Sequence, residues 1–227
     1  MTSSGGALAC VLLTACGGLT TTGIDNTNTP DSGTNPADAS GDTSPDAPPC
    51  SSATNTQPAP IPLPSGGMCG ATTEAIESWS LGGSAPTKYQ SDFDSSMSCN
   101  GGPSLHLASS TASNNDFGEM GTGRPAGAWL GQRVRLSGWV LSNAVTGWAG
   151  LWFRVDSGQT TGIAFDNMDC RAISGTTGWT QYEAVLDVAP DATDVAYGIL
   201  LAGSGDVWLD GVTTSIVDTC VPTTGCP

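Results

Sequence analysis

Residues 131–168 decide the fold, and they read GQRVRLSGWVLSNAVTGWAGLWFRVDSGQTTGIAFDNM. Between residues 133 and 141, apolar side chains occupy every second position, which is the period of a β-strand with one face in a core. The residues predicted to face that core are Val134, Leu136, Gly138 and Val140. The alternate residues, which include Arg135 and Trp139, then lie on the opposite face. This stretch therefore predicts a half-buried β-strand.

The same alternation recurs twice before residue 168. In the second run Trp152 and Arg154 fall on the outward face, and the residues predicted to face the core are Leu151, Phe153 and Val155. In the third run we predict that Ile163 and Phe165 face the core. Short turns rich in Gly, Ser and Asn separate the runs. The stretch as a whole predicts three consecutive strands.

The outward faces of the first two runs carry large aromatic and basic side chains. If these strands are neighbours, one surface is shared by Arg135, Trp139, Trp152 and Arg154. An exposed tryptophan surface is costly in water and usually has a partner. The alternative is a sheet buried on both sides, because Trp is mostly buried on average.

The chain from residue 74 to residue 217 continues this pattern. Short alternating segments are separated by Gly-rich turns, and no segment keeps a helical period. About ten strands at this spacing predict an all-β fold, an antiparallel β-sandwich of the jelly-roll type. We assign this domain to residues 67–227, which is long enough for one core.

The charge balance argues against nucleic acid as a partner. The 227 residues contain 21 acidic residues against 6 Lys and Arg, which gives a formal net charge of −15. Nucleic-acid binding requires a basic footprint, which this chain lacks.

Residues 1–15 have features of a lipoprotein signal peptide. The apolar run at 7–15, ALACVLLTA, has the length of a signal-peptide core and is too short to span a bilayer. It ends in LTAC at 13–16, which resembles the bacterial lipobox. The resemblance implies that Cys16 is acylated and anchors the protein to a membrane. Gly17 directly after it implies the outer membrane or the cell surface.

Residues 16–66 predict a disordered tether. The segment is rich in Thr, Asn, Asp, Ser, Ala and Pro, and it contains no aromatic or basic residue. Such a segment cannot bury enough apolar surface to fold. As a coil of about 50 residues, it would span roughly 40 Å on average.

Six of the eight cysteines lie beyond residue 16: Cys50, Cys69, Cys99, Cys170, Cys220 and Cys226. An even set in an exported chain predicts up to three disulfides, and six cysteines permit about 15 pairings. Among these we expect Cys69–Cys220 between the two ends of the sandwich, then Cys99–Cys170, and a clip on the tether from Cys50 to Cys226. A zinc site is not expected, because there is no CxxC pair and only one His.

Residues 74–217 resemble a galactose-binding-like jelly-roll module, similar to carbohydrate-binding modules. The resemblance rests on the segments WSLGGSAPTKYQ, GQRVRLSGWV, GWAGLWFRVD and AFDNM, and on TTGWTQYEAVLDVAPDATDVAYGILLAGSGDVWLDGV. It implies a non-catalytic module that binds carbohydrate or another polar ligand. Similar modules often hold a structural calcium ion between the first and last strands, which implies Glu77 and Asp210 as its ligands. No other cofactor is implied.

A sugar site needs aromatic faces for the sugar rings and polar side chains for the hydroxyls. The residues that we predict for it are Trp139, Trp152, Arg154, Arg135, Asp166, Asn167 and Tyr89. Asp166 and Asn167 equally suit the cap of a turn.

Two other functions are compatible with the sequence. One is a structural or protein-interaction domain, in which Trp139 and Trp152 are buried. The other is a glycan hydrolase, which needs two carboxylates at a suitable separation. The acids available for it are Asp166, Asp169, Glu183 and Glu119. Because there is no GxSxG motif and His106 is the only His, we predict a protein that is not an enzyme.

Overall fold

The computed structural model describes residues 59–65, 67–70 and 78–226. Within them the chain forms ten β-strands, three short 3-10 turns and no α-helix, which confirms the all-β prediction. The strands are β1 (Ile61–Pro62), β2 (Ser80–Gly83), β3 (Gln90–Asp94), β4 (Ser104–Ser109), β5 (Phe117–Pro125), β6 (Arg133–Ser157), β7 (Thr160–Asp166), β8 (Ile173–Asp187), β9 (Asp194–Ala202) and β10 (Gly205–Val217). The 3-10 turns are Pro86–Lys88, Gly127–Trp129 and Asp169–Arg171.

The strands pair antiparallel in two layers, as expected for the predicted sandwich. In the first layer the order is β3, β4, β10, β6, β8 and β1. In the second layer it is β2, β5, β9, β6 and β7. Strand β6 appears in both lists because its 25 residues are long enough to cross from one layer to the other.

The crossing lies near the middle of β6. Residues 133–143 pair with β10, whereas residues 148–156 pair with β9. From Val140 to Ala149 the register with β8 shifts three times, and Ala144 has a φ of 52°, a left-handed conformation that is uncommon for residues other than Gly. The segment predicted as a turn between two strands is thus a bend within one continuous strand.

The inner faces of the two layers pack into one core. The residues predicted to face the core in the first two runs are at most 1% exposed: Val134, Leu136, Val140, Leu151, Phe153 and Val155. The ring of Tyr197 packs edge-on against Phe153 and Trp79, each with centroids 6.2 Å apart. These burials confirm the alternation of both runs.

The prediction for the third run is wrong. Ile163 and Phe165 on β7 are 41% and 49% exposed, whereas Asp166 is 2% exposed. The pairing of Asp166 with the inward residue Phe153 sets this direction. A buried carboxylate is tolerated there because Arg171 donates to both of its oxygens and Thr224 donates to one.

The disulfides differ from the expected pairs. Cys69 is bonded to Cys99, and Cys170 is bonded to Cys226. The Cys69–Cys220, Cys99–Cys170 and Cys50–Cys226 expectations are therefore wrong, although Cys220 is itself disulfide-bonded. The order of the cysteines along the chain does not predict these disulfides, because the pairing depends on which loops lie close together in the folded sandwich.

The predicted signal peptide, Cys16 and Cys50 lie outside the described residues, so the anchor stays a prediction. No helix in the described ranges is long and apolar enough to cross a membrane. Ile61 and Pro62, at the end of the predicted tether, pair with β8 at the edge of the first layer. The neighbouring Leu63 N–H donates to the Trp179 carbonyl oxygen at 2.8 Å.

Candidate functional site

A second apolar cluster lies outside the core, on the outer face of the second layer. It consists of Trp152, Leu200 and Ala202, which are at most 6% exposed. Phe117 and Trp148 pack against it and stay partly exposed. An apolar surface on the outside of a sheet has no role in joining the two layers, which makes this face the candidate site.

The indole of Trp152 lies across the neighbouring strands. Gly198 on β9 is directly opposite Trp152, and Gly121 on β5 is opposite Gly198. A Cβ atom at Gly121 would lie 2.3 Å from Cζ2 of the indole, and one at Gly198 would lie 2.9 Å from its Nε1. The ring therefore occupies the space that two side chains would fill, and it forms the floor of the site.

A cavity of about 680 Å³ opens above this floor. Its apolar lining comprises Phe117, Trp148, Trp152, Phe165, Leu200 and Ala202. Its polar lining includes Asn114, Asp116, Glu119, Arg154 and Asn167. A second cavity of about 220 Å³ adjoins it and shares Glu119, Trp152 and Arg154. We call the two cavities together the groove.

Arg154 stands on the outward face of β6, two residues from Trp152. Its guanidinium donates to its neighbour Asp156 through Nε at 2.9 Å and Nη2 at 3.0 Å. The Asp156 carboxylate also accepts a hydrogen bond from the Gly162 N–H at 2.7 Å, and this bond links β7 to β6. The two-point contact fixes the plane of the guanidinium.

Glu119 contributes a carboxylate to the groove. The Glu119 side chain projects from β5 into the groove and is half-buried. Its Oε1 lies close to Gly82 on the edge strand β2, 3.1 Å from where a Cβ atom would be. Burial raises the pKa of the Glu119 carboxyl above its usual value, and the positive charge of Arg154 opposes the rise. Within the described residues, no hydrogen-bond donor reaches this carboxylate.

The loop after β7 presents Asn167 to the groove. Met168 holds a left-handed conformation with φ 65°, and its N–H donates to Asp166 Oδ1 at 3.0 Å. The side-chain oxygen of Asn167 accepts the Asp169 N–H at 3.2 Å, which leaves the amide NH₂ group to donate elsewhere. The loop packs on Gly150, where a Cβ atom would lie 2.8 Å from the Asn167 carbonyl oxygen.

Of the seven predicted ligand residues, the structure brings Trp152, Arg154 and Asn167 together in the groove. Arg135 and Trp139 do not join them, because the crossing of β6 places the two pairs in different layers. Arg135 Nε lies 3.2 Å from Glu183 Oε2 on the first layer, an ion pair without hydrogen-bond alignment. The single surface expected for the four Trp and Arg residues is therefore not formed.

Asp166 and Tyr89 also lie outside the groove. The carboxylate of Asp166 is bound by Arg171 and Thr224, as described for β7. Tyr89 is 4% exposed, and its hydroxyl donates toward the carbonyl oxygens of Asp116 at 2.9 Å and Gly203 at 3.1 Å. Both side chains have internal partners that hold loops of the sandwich together.

The surroundings of Asp210 do not fit a calcium ligand. Its carboxylate is buried and accepts the Cys99 N–H at 3.0 Å, the Asn100 side-chain amide at 2.6 Å and the Gly211 N–H at 2.7 Å. These donors occupy both oxygens, whereas calcium needs several free oxygen ligands. Glu77, the other expected ligand, lies outside the described residues.

The acids considered for hydrolysis are dispersed. Of Asp166, Asp169, Glu183 and Glu119, Glu119 alone lines the groove. Asp116 lines it as well, but its carboxylate accepts hydrogen bonds from Lys88 and Ser113. These bonds lower the pKa of Asp116 to about 2. His106 stacks on Trp208 in the first layer, with ring centroids 4.6 Å apart, and does not line the groove.

The residues that the sequence prediction of the binding site missed are Phe117, Phe165 and Glu119. The sequence pattern assigns Phe165 to the core because its run contains two large apolar residues. Glu119 shares its outward face with Gly121 and Gly123, and glycines at alternate strand positions signal the close approach of another group. That pattern was available in the sequence.

No protein-family model matches the chain. A curated relative, the uncharacterized HTH-type transcriptional regulator YbfP of Bacillus subtilis (strain 168), is 38% identical over 152 residues. The match covers 66% of this chain but 51% of that protein, so the chain spans about half the length of the relative.

Solved structures with a similar fold include carbohydrate-binding modules. The CBM22-1 xylan-binding domain from Paenibacillus barcinonensis Xyn10C is 18% identical, over 66% of this chain and 90% of that one, with a TM-score of 0.46. The C-terminal family 22 module of Clostridium thermocellum Xyn10B is 14% identical, over 73% and 96%, with a TM-score of 0.45. The enzymatically active domain of bacteriophage CBA120 tailspike protein 4 is 14% identical, over 69% and 22%, with a TM-score of 0.46.

Proposed function

We propose that the groove binds carbohydrate. The observation that carries the proposal is an apolar cluster with three further aromatic side chains on the outer face of a sheet, next to the Glu119 carboxylate and the Asn167 amide. Sugar rings combine apolar C–H faces with hydroxyl edges, and such ligands are held by aromatic surfaces flanked by a few polar groups.

The groove supplies both kinds of contact. Phe165 is 49% exposed and offers an open ring face, whereas Trp152 is 5% exposed and forms the floor. The Asn167 amide can donate a hydrogen bond, and the Glu119 carboxylate can accept one. The two adjoining cavities give room for a chain of more than one sugar unit.

The test is a binding measurement of the full chain against a panel of soluble glycans by calorimetry. Phe165→Ala should weaken binding by about 1–2 kcal/mol, roughly five- to thirty-fold, through loss of stacking. Ile163→Ala is the matched control, because Ile163 is a similarly exposed apolar residue of the same strand that does not line the groove. Equal affinity of both variants would reject the site.

Two further outcomes separate the alternatives. If no glycan binds to the wild-type domain, the proposal is withdrawn in favour of a structural or protein-interaction domain. If a glycan is cleaved during the measurement, the hydrolase alternative is supported, and Glu119→Gln should then abolish turnover. Intact glycan recovered after binding supports a non-catalytic module.

We also propose that the protein is anchored in the cell envelope through Cys16, where it would meet envelope or environmental glycans. The support is the order of apolar run, LTAC motif and polar tether along residues 1–66. Expression of the full chain with a labelled fatty acid should label the wild type, and Cys16→Ser should remain unlabelled and leave the membrane fraction. Equal labelling of both would reject the anchor.

A further inference from the structure

The surroundings of Glu119 narrow the class of glycan that the groove is proposed to bind. Its carboxylate is half-buried in the groove, beside the apolar floor and within the field of Arg154. No described residue donates a hydrogen bond to it. A carboxylate that loses water without gaining a donor is costly, so the position is maintained at the expense of stability.

None of the six basic residues forms an ion pair or a hydrogen bond with Glu119. Lys88, Arg133, Arg135, Arg154 and Arg171 are each paired with another acid: Asp116, Asp187, Glu183, Asp156 and Asp166. The sixth, Arg124, stacks on Trp129 with its guanidinium 4.0 Å from the ring centroid. Arg154 is the nearest candidate partner, yet it makes its two-point contact with Asp156.

The surroundings of Glu119 favour a positively charged partner from outside. Phe117 projects from the same face of the same strand, two residues away, and Trp152 and Phe165 also line the cavity. Aromatic faces attract cations, and the attraction grows where water is excluded. The net charge of −15 adds a field that draws cations to the protein.

We propose that Glu119 selects a glycan that carries a protonated amine, such as a glucosamine unit, over its neutral counterparts. In this arrangement the ammonium group of the sugar donates to the Glu119 carboxylate while the ring lies on the aromatic lining. The inference rests on the proposed function of the groove and names Glu119 as its specificity-determining residue.

The experiment compares three oligosaccharide series with the same β-1,4-linked backbone and different groups at C2. These are cello-oligosaccharides with a hydroxyl, chitin oligosaccharides with an acetamide, and chitosan oligosaccharides with an amine. Affinities are measured at a pH where the amine is protonated and the Glu119 carboxyl is ionised. A charge-assisted hydrogen bond predicts that the amine series binds about tenfold or more tightly than the hydroxyl series.

Two variants test whether Glu119 causes the preference for the amine series. Glu119→Gln keeps the shape and removes the charge, so it should bring the amine and hydroxyl series to similar affinities. Asp169→Asn removes a charge from an exposed residue outside the groove and should leave the preference intact. Loss of the preference in both variants would assign it to general attraction and overturn the role of Glu119.

The outcomes distinguish this inference from the proposed function. If neutral glycans bind as tightly as the amine series and Phe165→Ala weakens them, the groove binds sugars but the amine selection is wrong. If no glycan of the panel or of the three series binds, both are wrong. If the amine series binds more tightly and the preference is lost in Glu119→Gln alone, both stand.

Discussion

Gly121 is the position where one methyl group should disturb the groove most directly. In Gly121→Ala the new Cβ atom would lie 2.3 Å from Cζ2 of the Trp152 indole. Carbon atoms in contact normally sit about 3.5–4.0 Å apart. The indole must therefore shift by roughly 1 Å or more, away from the floor that it forms.

The size of the effect follows from overpacking. Extra methyl groups in tight packing cost about 1–3 kcal/mol. With a urea dependence of about 1–3 kcal/mol per molar, the unfolding midpoint of Gly121→Ala should fall by roughly 1 M. Gly123→Ala is the matched control on the same face of the same strand, where the closest atom is the Val195 carbonyl oxygen at 3.3 Å. We expect it to stay within about 0.5 kcal/mol of the wild type.

A double-mutant cycle assigns the cost to the indole. In a Trp152→Ala background the methyl group at residue 121 meets no ring, so most of the penalty should disappear. A penalty that persists would come from the Tyr197 carbonyl oxygen, 3.1 Å from the Cβ position, and would refute the role given to Trp152. Glycan affinity should fall more in Gly121→Ala, which displaces the indole floor, than in Gly123→Ala, whose methyl group only narrows the smaller cavity of the groove.

Three further predictions concern charge and cross-links. Asp166→Asn leaves the partly buried guanidinium of Arg171 without its counter-charge, so urea unfolding should show a loss of about 3 kcal/mol; a loss under about 1 kcal/mol would contradict the pairing. The pKa of Glu119 is raised, so its contribution to stability is full below pH 4.5 and is lost as the pH rises through the raised value. Glu119→Gln should therefore be the more stable protein at neutral pH in pH-dependent unfolding, with the gap closing in acid; a gap independent of pH would refute this. Replacement of both Cys170 and Cys226 by Ser opens a cross-link between residues 56 apart, and the loop-entropy model gives a loss of up to about 4 kcal/mol by calorimetry, whereas an unchanged transition would contradict it.

The fold could be predicted from residues 133–156 because alternation reports burial directly. Each inward residue of the first two runs is buried in the core. Alternation does not report which layer a strand belongs to. The period of two holds on both sides of the bend at Ala144, so two strands in one sheet and one strand in two layers have the same pattern.

The sequence predicts part of the site, because alternation also identifies the outward residues of a strand. Trp152 and Arg154 are on the outward face of the second half of β6, and the groove lies there. Arg135 and Trp139 have the same chemistry on the first half, and the sequence does not separate the halves. Phe165 was misplaced because its strand pairs in a register that buries an ion pair, and apolar patterning assigns such a position to the wrong face.

The crossing of β6 also has a consequence for how the sandwich comes apart. A sandwich whose layers are joined only by loops can lose one layer while the other persists. Here one continuous strand, β6, belongs to both layers, so detaching it from β9 exposes the interior of both. We therefore expect heat or force to produce a single all-or-none transition, rather than a partly melted intermediate that keeps one half intact. The amides of β5 and β10 should then exchange hydrogen through the same global opening, with the same free energy.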